Sequence, residues 1–375
     1  MHKTFMKPKS ALLVLSMMAI IAMGIYGCSD TADTPVAPEA PEVGQFHVKN
    51  PVVQSVMAVQ DRHTPSLMAD PEVIGTATTL TDDGKLAVMV LATSRRAMNA
   101  VPKTLDGVPV RVQLTDKIVA FKGKPGGGGG GGVDHKAKQT APVKMGTSGG
   151  WSHDLANGYC CGGTLGALIQ VGGQKRILSN YHVFEADIVN GGNGIVAETG
   201  DPIIQPGLID VNCNAASAQE VATLVVTKAL PGNNVDCSSA TIIGGMVDES
   251  GDILEVGVIS SATVAASVNQ RVKKSGRTTG LTRAKVSGLN ATISVQYENE
   301  CAGGVAFTRT FTGQIVITNR GSKFLAGGDS GSLMVEDVDN NPRAVGLLYA
   351  GSSSTAIANP IDDVLDFFNA SMVGN

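Results

Sequence analysis

The sequence predicts a mainly β chain, and three observations carry the prediction. Short runs of small and β-branched apolar residues recur at close intervals. Glycine is abundant at 46 of 375 residues while aromatics make up 4%, which suits many strands joined by tight turns. From about residue 141 onward long helical periods are absent until the C-terminal end.

The elements follow in order. Pro51 stands where a helix can open, because its missing N–H is one the first turn leaves unpaired anyway. "VIGTATTL" and "LAVMVLA" flank Asp82-Asp83-Gly84 as a hairpin, and "VPVRVQL" and "KIVAF" read as strands, so residues 48–123 are expected to form a small α+β domain. Seven consecutive glycines, Gly126 to Gly132, then forbid a stable element, because each costs maximal backbone entropy to order. Residues 124–140 are therefore expected to be a linker. The last part, 141–375, holds "TLGALIQV", a Gly172-Gly173 turn, "QKRILSN", "VATLVVT", "ATISVQY", "GQIVITN", "SLMVEDV" and "RAVGLLYA". Strand and turn repeated in this way point to a barrel or sandwich. After Pro360, the spacing of Ile361, Val364, Leu365 and Phe368 predicts a short amphipathic helix closing the domain.

The first residues bear on compartment. Lys3, Lys7 and Lys9 precede an apolar stretch, Ala11 to Gly27, the pattern of a secretory signal over residues 1–27. The stretch ends "IYGC", similar to the lipobox of bacterial lipoproteins although Tyr26 is bulkier than that pattern prefers. The resemblance implies a diacylated Cys28 and a membrane anchor at the bacterial cell envelope; the other reading is ordinary cleavage nearby and secretion. Residues 28–47, rich in proline, alanine and acid, are expected to be an extended tether. Losing residues 1–27 removes three lysines and no acid, which takes the net charge from −4 to −7. Such a chain lacks the clustered positive surface that nucleic acid binding requires.

Five cysteines remain beyond Cys28: Cys160, Cys161, Cys213, Cys237 and Cys301. An oxidising compartment allows one or two disulfides, with the pairing left open and at least one thiol left over. Paired CxxC spacing is absent and histidine is scarce, so neither a metal nor another cofactor is expected.

"FLAGGDSGSLMV" poses the chemical question. A serine hydroxyl attacks a carbonyl only when a base takes its proton, a third group orients the base, and donors meet the oxyanion. From residue 136 onward only His153 and His182 exist. His153 lies in the polar stretch "GWSHDLANG" and reads as solvated loop, whereas His182 ends an apolar strand in "RILSNYHVFE" and is the candidate base. For the carboxylate, Asp236 in "GNNVDCSSATII" adjoins a strand that reads as buried, and a buried aspartate needs a hydrogen-bond partner such as imidazole. Asp210 in "QPGLIDVN" is the rival, read as a turn residue because proline and glycine precede it.

The order His182, Asp236, Ser330 together with Gly328-Asp329-Ser330-Gly331 resembles the chymotrypsin-like (trypsin-like) serine proteases. "LSNYHV", "QPG", "KSGRTTGLT", "GDSGSL", "VGLLYAGS" and "IANPI" look more narrowly like plant narrow-leaf serine proteases and their bacterial relatives, over about residues 141–375. The resemblance implies a double β-barrel acting on polypeptides, with Ser330 as nucleophile, His182 as general base and acid, and Asp236 fixing the imidazole tautomer. It also implies an oxyanion hole from the backbone N–H groups of Gly328 and Ser330. Phe324, six residues before the nucleophile, would lie at the base of the specificity pocket. No acid stands there, which argues against strict cleavage after Arg or Lys and for an apolar or small residue. Three departures stand out: Asn180-Tyr181 before the histidine, Cys237 after the aspartate, and no obvious chain terminus to partner Asp329. "SGRTTGLT" is expected to be structural.

Overall fold

The computed structural model describes residues 46–120, 133–156, 159–185, 195–297 and 307–375, and Val43–Asn375 forms one compact unit. The signal segment, Cys28, nearly all of the tether, the glycine run and Cys301 lie outside the described residues.

The fold is mainly β, as the sequence predicts, and two curled sheets dominate. In the first, the strands Ala167–Val171, Gln174–Ser179, Ser238–Ile242, Gln219–Val225, Pro202–Gln205, Thr147–Trp151 and Gly163–Leu165 pair in that order. Its two ends meet through Gly166, so the sheet bends back on itself. In the second, Arg271–Lys274, Leu333–Glu336, Ala344–Gly351, Thr355–Pro360, Phe307–Thr318 and Thr282–Tyr297 pair in order. Arg271–Lys274 also pairs with Thr282–Tyr297 and closes the ring. Closure leaves no open edge among these six strands. The helix Ile361–Phe368 buries Ile361, Val364, Leu365 and Phe368, as its spacing predicts, and stops at Asn369 in the left-handed conformation.

Of the expected domain 48–123, the described residues 48–120 have a helix Pro51–Leu67 capped by the Asn50 side chain, the hairpin Val73–Leu80 with Leu86–Ala92, and the strand Val108–Leu114. It differs from an independent domain in one respect. Val73–Leu80 pairs with Thr282–Tyr297, so its sheet continues the second barrel. The apolar runs explain why. Val88, Val90 and Ala92 pack with helix residues Val56 and Val59. The alternate residues Met89 and Leu91 join the barrel core with Ile293 and Val295. A strand apolar on both faces needs cover on both sides. Gly75 permits the junction, because a Cβ there would stand 2.8 Å from the Thr292 carbonyl oxygen.

The expected linker also ends earlier than residue 140. His135 is buried, with Nδ1 2.7 Å from the Gly146 carbonyl oxygen and Nε2 2.6 Å from Glu255, and the Gln139 amide donates to Gln205. These polar partners lie more than sixty residues away in the chain in two of the three cases, which a local reading cannot see.

Candidate active site

His182 and Asp236 come together because their strands are neighbours. Ser179 at the end of Gln174–Ser179 pairs with Ser238 at the start of Ser238–Ile242. The chain beyond Ser179 turns into the single helical turn Tyr181–Phe184, and the chain before Ser238 carries Asp236. Asn180 ties the two, its Nδ2 donating to the Asp236 carbonyl oxygen at 2.7 Å. His182 Nδ1 then lies 2.6 Å from Asp236 Oδ2, and the His182 backbone N–H donates to Oδ1 at 3.3 Å. Asp210 does not reach the histidine.

Asp236 is fully buried, and its polar atoms are met from several elements. Its amide donates to Asn359 Oδ1 at 2.9 Å, and the Tyr297 hydroxyl donates to Oδ2 at 2.8 Å. The Tyr297 ring stacks on Phe307, with centroids 4.9 Å apart, and stands edge-on to the imidazole at 6.1 Å. Burial first, then the negative charge of Asp236, pushes the Tyr297 phenol well above its ordinary range. Cys237 is a buried free thiol, so at that departure it packs as a small apolar residue. Burial raises its pKa well above the usual thiol value, with Asp236 and Glu185 adding to the effect. Cys160 pairs with Cys213.

Ser330 sits in a turn held by many hydrogen bonds. Gly328 and Gly331 have φ of +95° and +91°. A Cβ on Gly328 would stand 2.6 Å from Thr278 Oγ1 and 2.8 Å from an Arg277 guanidinium nitrogen, so only glycine fits that φ and that space. The amides of Asp329 and Gly331 donate to the carbonyl oxygens of Ala326 and Leu348. Gly328 and Ser330, the expected oxyanion donors, alternate with them along the turn.

Ser330 and the His182 segment converge on Gly163. A Cβ on Gly163 would lie 2.6 Å from a methyl of Val183 and 2.9 Å from the Ser330 carbonyl oxygen. His182 Nε2 is buried and makes no hydrogen bond, while Ser330 Oγ donates to the Tyr349 carbonyl oxygen at 3.3 Å. Phe324 is packed into an apolar cluster with Leu325, Leu348 and Ala356, and Asn319 Oδ1 accepts from the amides of both Phe324 and Leu325.

Asp329 has a partner that the sequence reading missed. Its carboxylate accepts from the amides of Thr278, Thr279 and Ala326 and from the Thr279 hydroxyl, and it lies 3.5 Å from Lys274 Nζ. Burial depresses the Lys274 pKa, and Asp329 partly offsets this. Burial along Arg271–Lys274 does not alternate, since Lys273 is buried as well, so no local pattern singled out Lys274. Arg277, also buried, is bound by Asp210 at 2.6 Å and 2.5 Å, and Asp210 Oδ2 accepts from Ser148. "SGRTTGLT" thus braces the serine turn. Asp210 is half of a buried ion pair rather than a plain turn residue. Among the described residues no group of three or more His, Cys, Asp or Glu is placed to hold a metal.

Comparison with known proteins finds one family profile and several solved structures. A profile of the Nal1 C-terminal domain matches residues 229–359, a span that holds Asp236, Phe324, Gly328 and Ser330 but not His182. No curated protein sequence matches. Among solved structures, a glutamic-acid-specific serine protease, described as using a histidine triad in substrate binding, is 18% identical with a TM-score of 0.41. The match covers 61% of this chain and 100% of that one. Protease A of Thermobifida fusca is 17% identical with a TM-score of 0.39, over 62% and 99% of the two chains. A chymotrypsin of Cellulomonas bogoriensis is 19% identical with a TM-score of 0.38, over 62% and 99%. The architecture seen in the chain itself is mainly β: two curled sheets, the second closed into a ring, with an α/β segment that continues the second sheet.

Proposed function

We propose that this chain is an extracytoplasmic serine endopeptidase working through Ser330, His182 and Asp236. One observation carries the reading: the buried 2.6 Å contact between His182 Nδ1 and Asp236 Oδ2 beside a strained glycine turn that bears Ser330. In this mechanism Ser330 Oγ turns from the Tyr349 carbonyl and bonds to the substrate carbonyl carbon as its proton passes to His182 Nε2. Asp236 holds the proton on Nδ1 and stabilises the imidazolium. The amides of Gly328 and Ser330 receive the oxyanion. Nε2 then gives its proton to the leaving nitrogen, the C–N bond breaks, and water repeats the sequence on the acyl-enzyme. The preference for an apolar or small side chain before the cut bond belongs to the same proposal and rests on the absence of an acid at Phe324.

A peptide-library digest comparing the wild type with Ser330→Ala tests the reading. Cleavage by the first and none by the second supports it, and equal profiles oppose it. The Nal1 match over residues 229–359 supports the narrow-leaf kinship. Anchoring through lipid on Cys28 belongs to the same proposal, and the Cys160–Cys213 disulfide supports an oxidising compartment. Metabolic labelling with an alkynyl fatty acid should mark the wild type and not Cys28→Ser.

A second reading, a catalytically silent protease fold that serves as a binding scaffold, draws on the seclusion of the site. Ser330 is 1% and His182 2% exposed, and His182 Nε2 makes no hydrogen bond. A Ser330→Ala protein that keeps every partner and phenotype of the wild type would favour it.

A further inference from the structure

We propose that Tyr297 is a positioning residue for this site, its phenol setting both the orientation of Asp236 and the basicity of His182. The proposal rests on the endopeptidase reading for its consequence, and on geometry for its substance. Asp236 Oδ2 receives two donors, His182 Nδ1 at 2.6 Å and the Tyr297 hydroxyl at 2.8 Å. Tyr297 is the last residue of the long strand Thr282–Tyr297, in the opposite barrel from both His182 and Asp236. It therefore links the two barrels at the carboxylate itself.

The ring is held from three sides. It stacks on Phe307 with planes 5° apart, lies 6.4 Å from Phe311, and meets the imidazole edge-on. The hydroxyl thus has little freedom to leave Asp236. A second fixed donor spreads the carboxylate charge over two hydrogen bonds. It also prevents rotation that would give Nδ1 a weaker acceptor. Without the phenol, Oδ2 would concentrate its charge on the imidazole, and His182 would bind its proton more tightly. Other titratable or charged groups near enough to matter are Tyr349, Glu185, Cys237 and Arg309. Tyr349 and Tyr297 both sense Asp236, but only Tyr297 is seen to donate to it.

Tyr297→Phe keeps the stacked ring and removes the donor. The expected result is an imidazole pKa raised by about half a unit. The readout that needs no turnover is NMR titration of the His182 ring in the full-length Ser330→Ala protein, with and without Tyr297→Phe. On active protein, the acid limb of kcat/KM should move up by the same amount and kcat should fall about fivefold with KM unchanged, the mark of a lost contribution to the transition state. Incorporating 3-fluorotyrosine at 297 gives a stronger donor of nearly the same shape, and it should move the pKa the opposite way. This arm keeps the test decisive if the Phe variant folds poorly. An unmoved His182 titration in folded variants overturns the proposal. A moved titration in a protein that never cleaves a peptide overturns the endopeptidase reading and leaves the Tyr297 coupling standing.

Discussion

Lys274 Nζ lies 3.5 Å from Asp329 Oδ2, and both side chains are fully buried. The ammonium also donates to Thr279 Oγ1 and to the Gly280 carbonyl oxygen, so the pair is enclosed in a hydrogen-bonded shell. Asp329, beside Ser330, is thus met by a lysine from within the barrel. Removing one member of such a pair leaves the other charge buried and alone, at a cost of about 3–5 kcal/mol. Lys274→Met should lower stability by that order in urea unfolding. The double variant with Asp329→Asn should recover part of the loss.

Gly328→Ala should damage the turn more than the volume of a methyl group suggests. The position combines φ of +95° with an occupied Cβ site, so strain of about 1–3 kcal/mol is expected. Relieving it would turn the Gly328 amide away from the oxyanion, for a further loss of about 10²–10³ in kcat. Urea unfolding and single-turnover kinetics on one preparation would separate the two effects.

Arg277→Lys tests whether charge alone braces the turn. The guanidinium makes two parallel bonds to Asp210 and another to the Thr278 hydroxyl, a planar fork that an ammonium cannot reproduce. The lysine variant should therefore lose about 3 kcal/mol in urea unfolding, close to the loss for Arg277→Met.

Alkaline pH should weaken the fold through Tyr297 and Tyr349. Burial, and next the charge of Asp236, raises both phenols well above 10.0. Below pH 10 folded and unfolded chains hold these protons equally. Above it the unfolded chain releases them and the folded chain does not, so stability falls as pH rises. Each group adds a slope of about 1.4 kcal/mol per pH unit. Between pH 10.5 and 11.5, urea midpoints of Tyr297→Phe should fall less steeply than those of the wild type by one such increment.

What the sequence revealed depended on how local each signal was. His182 stood out as a candidate because histidine is scarce, and Ser330 because its glycines crowd into one turn. The hairpin at Asp82-Asp83-Gly84 and the C-terminal helix are written in turn chemistry and apolar spacing. Arg277 and Asp210 are 67 residues apart, and Tyr297 and Asp236 are 61 apart, so nothing in either neighbourhood names the other. The merging of the first segment with the barrel was hidden for a related reason. "LAVMVLA" is apolar on both faces, which says the strand is covered twice but not by what.

In the proposed mechanism Ser330 is a nucleophile activated by His182 and Asp236. The most direct measurement is intact-mass and peptide-level analysis of the folded protein after exposure to a fluorophosphonate. One adduct is expected, on Ser330, formed by the wild type and lost in both His182→Ala and Ser330→Ala. A folded wild type that remains unlabelled, or labels equally well without His182, would contradict it.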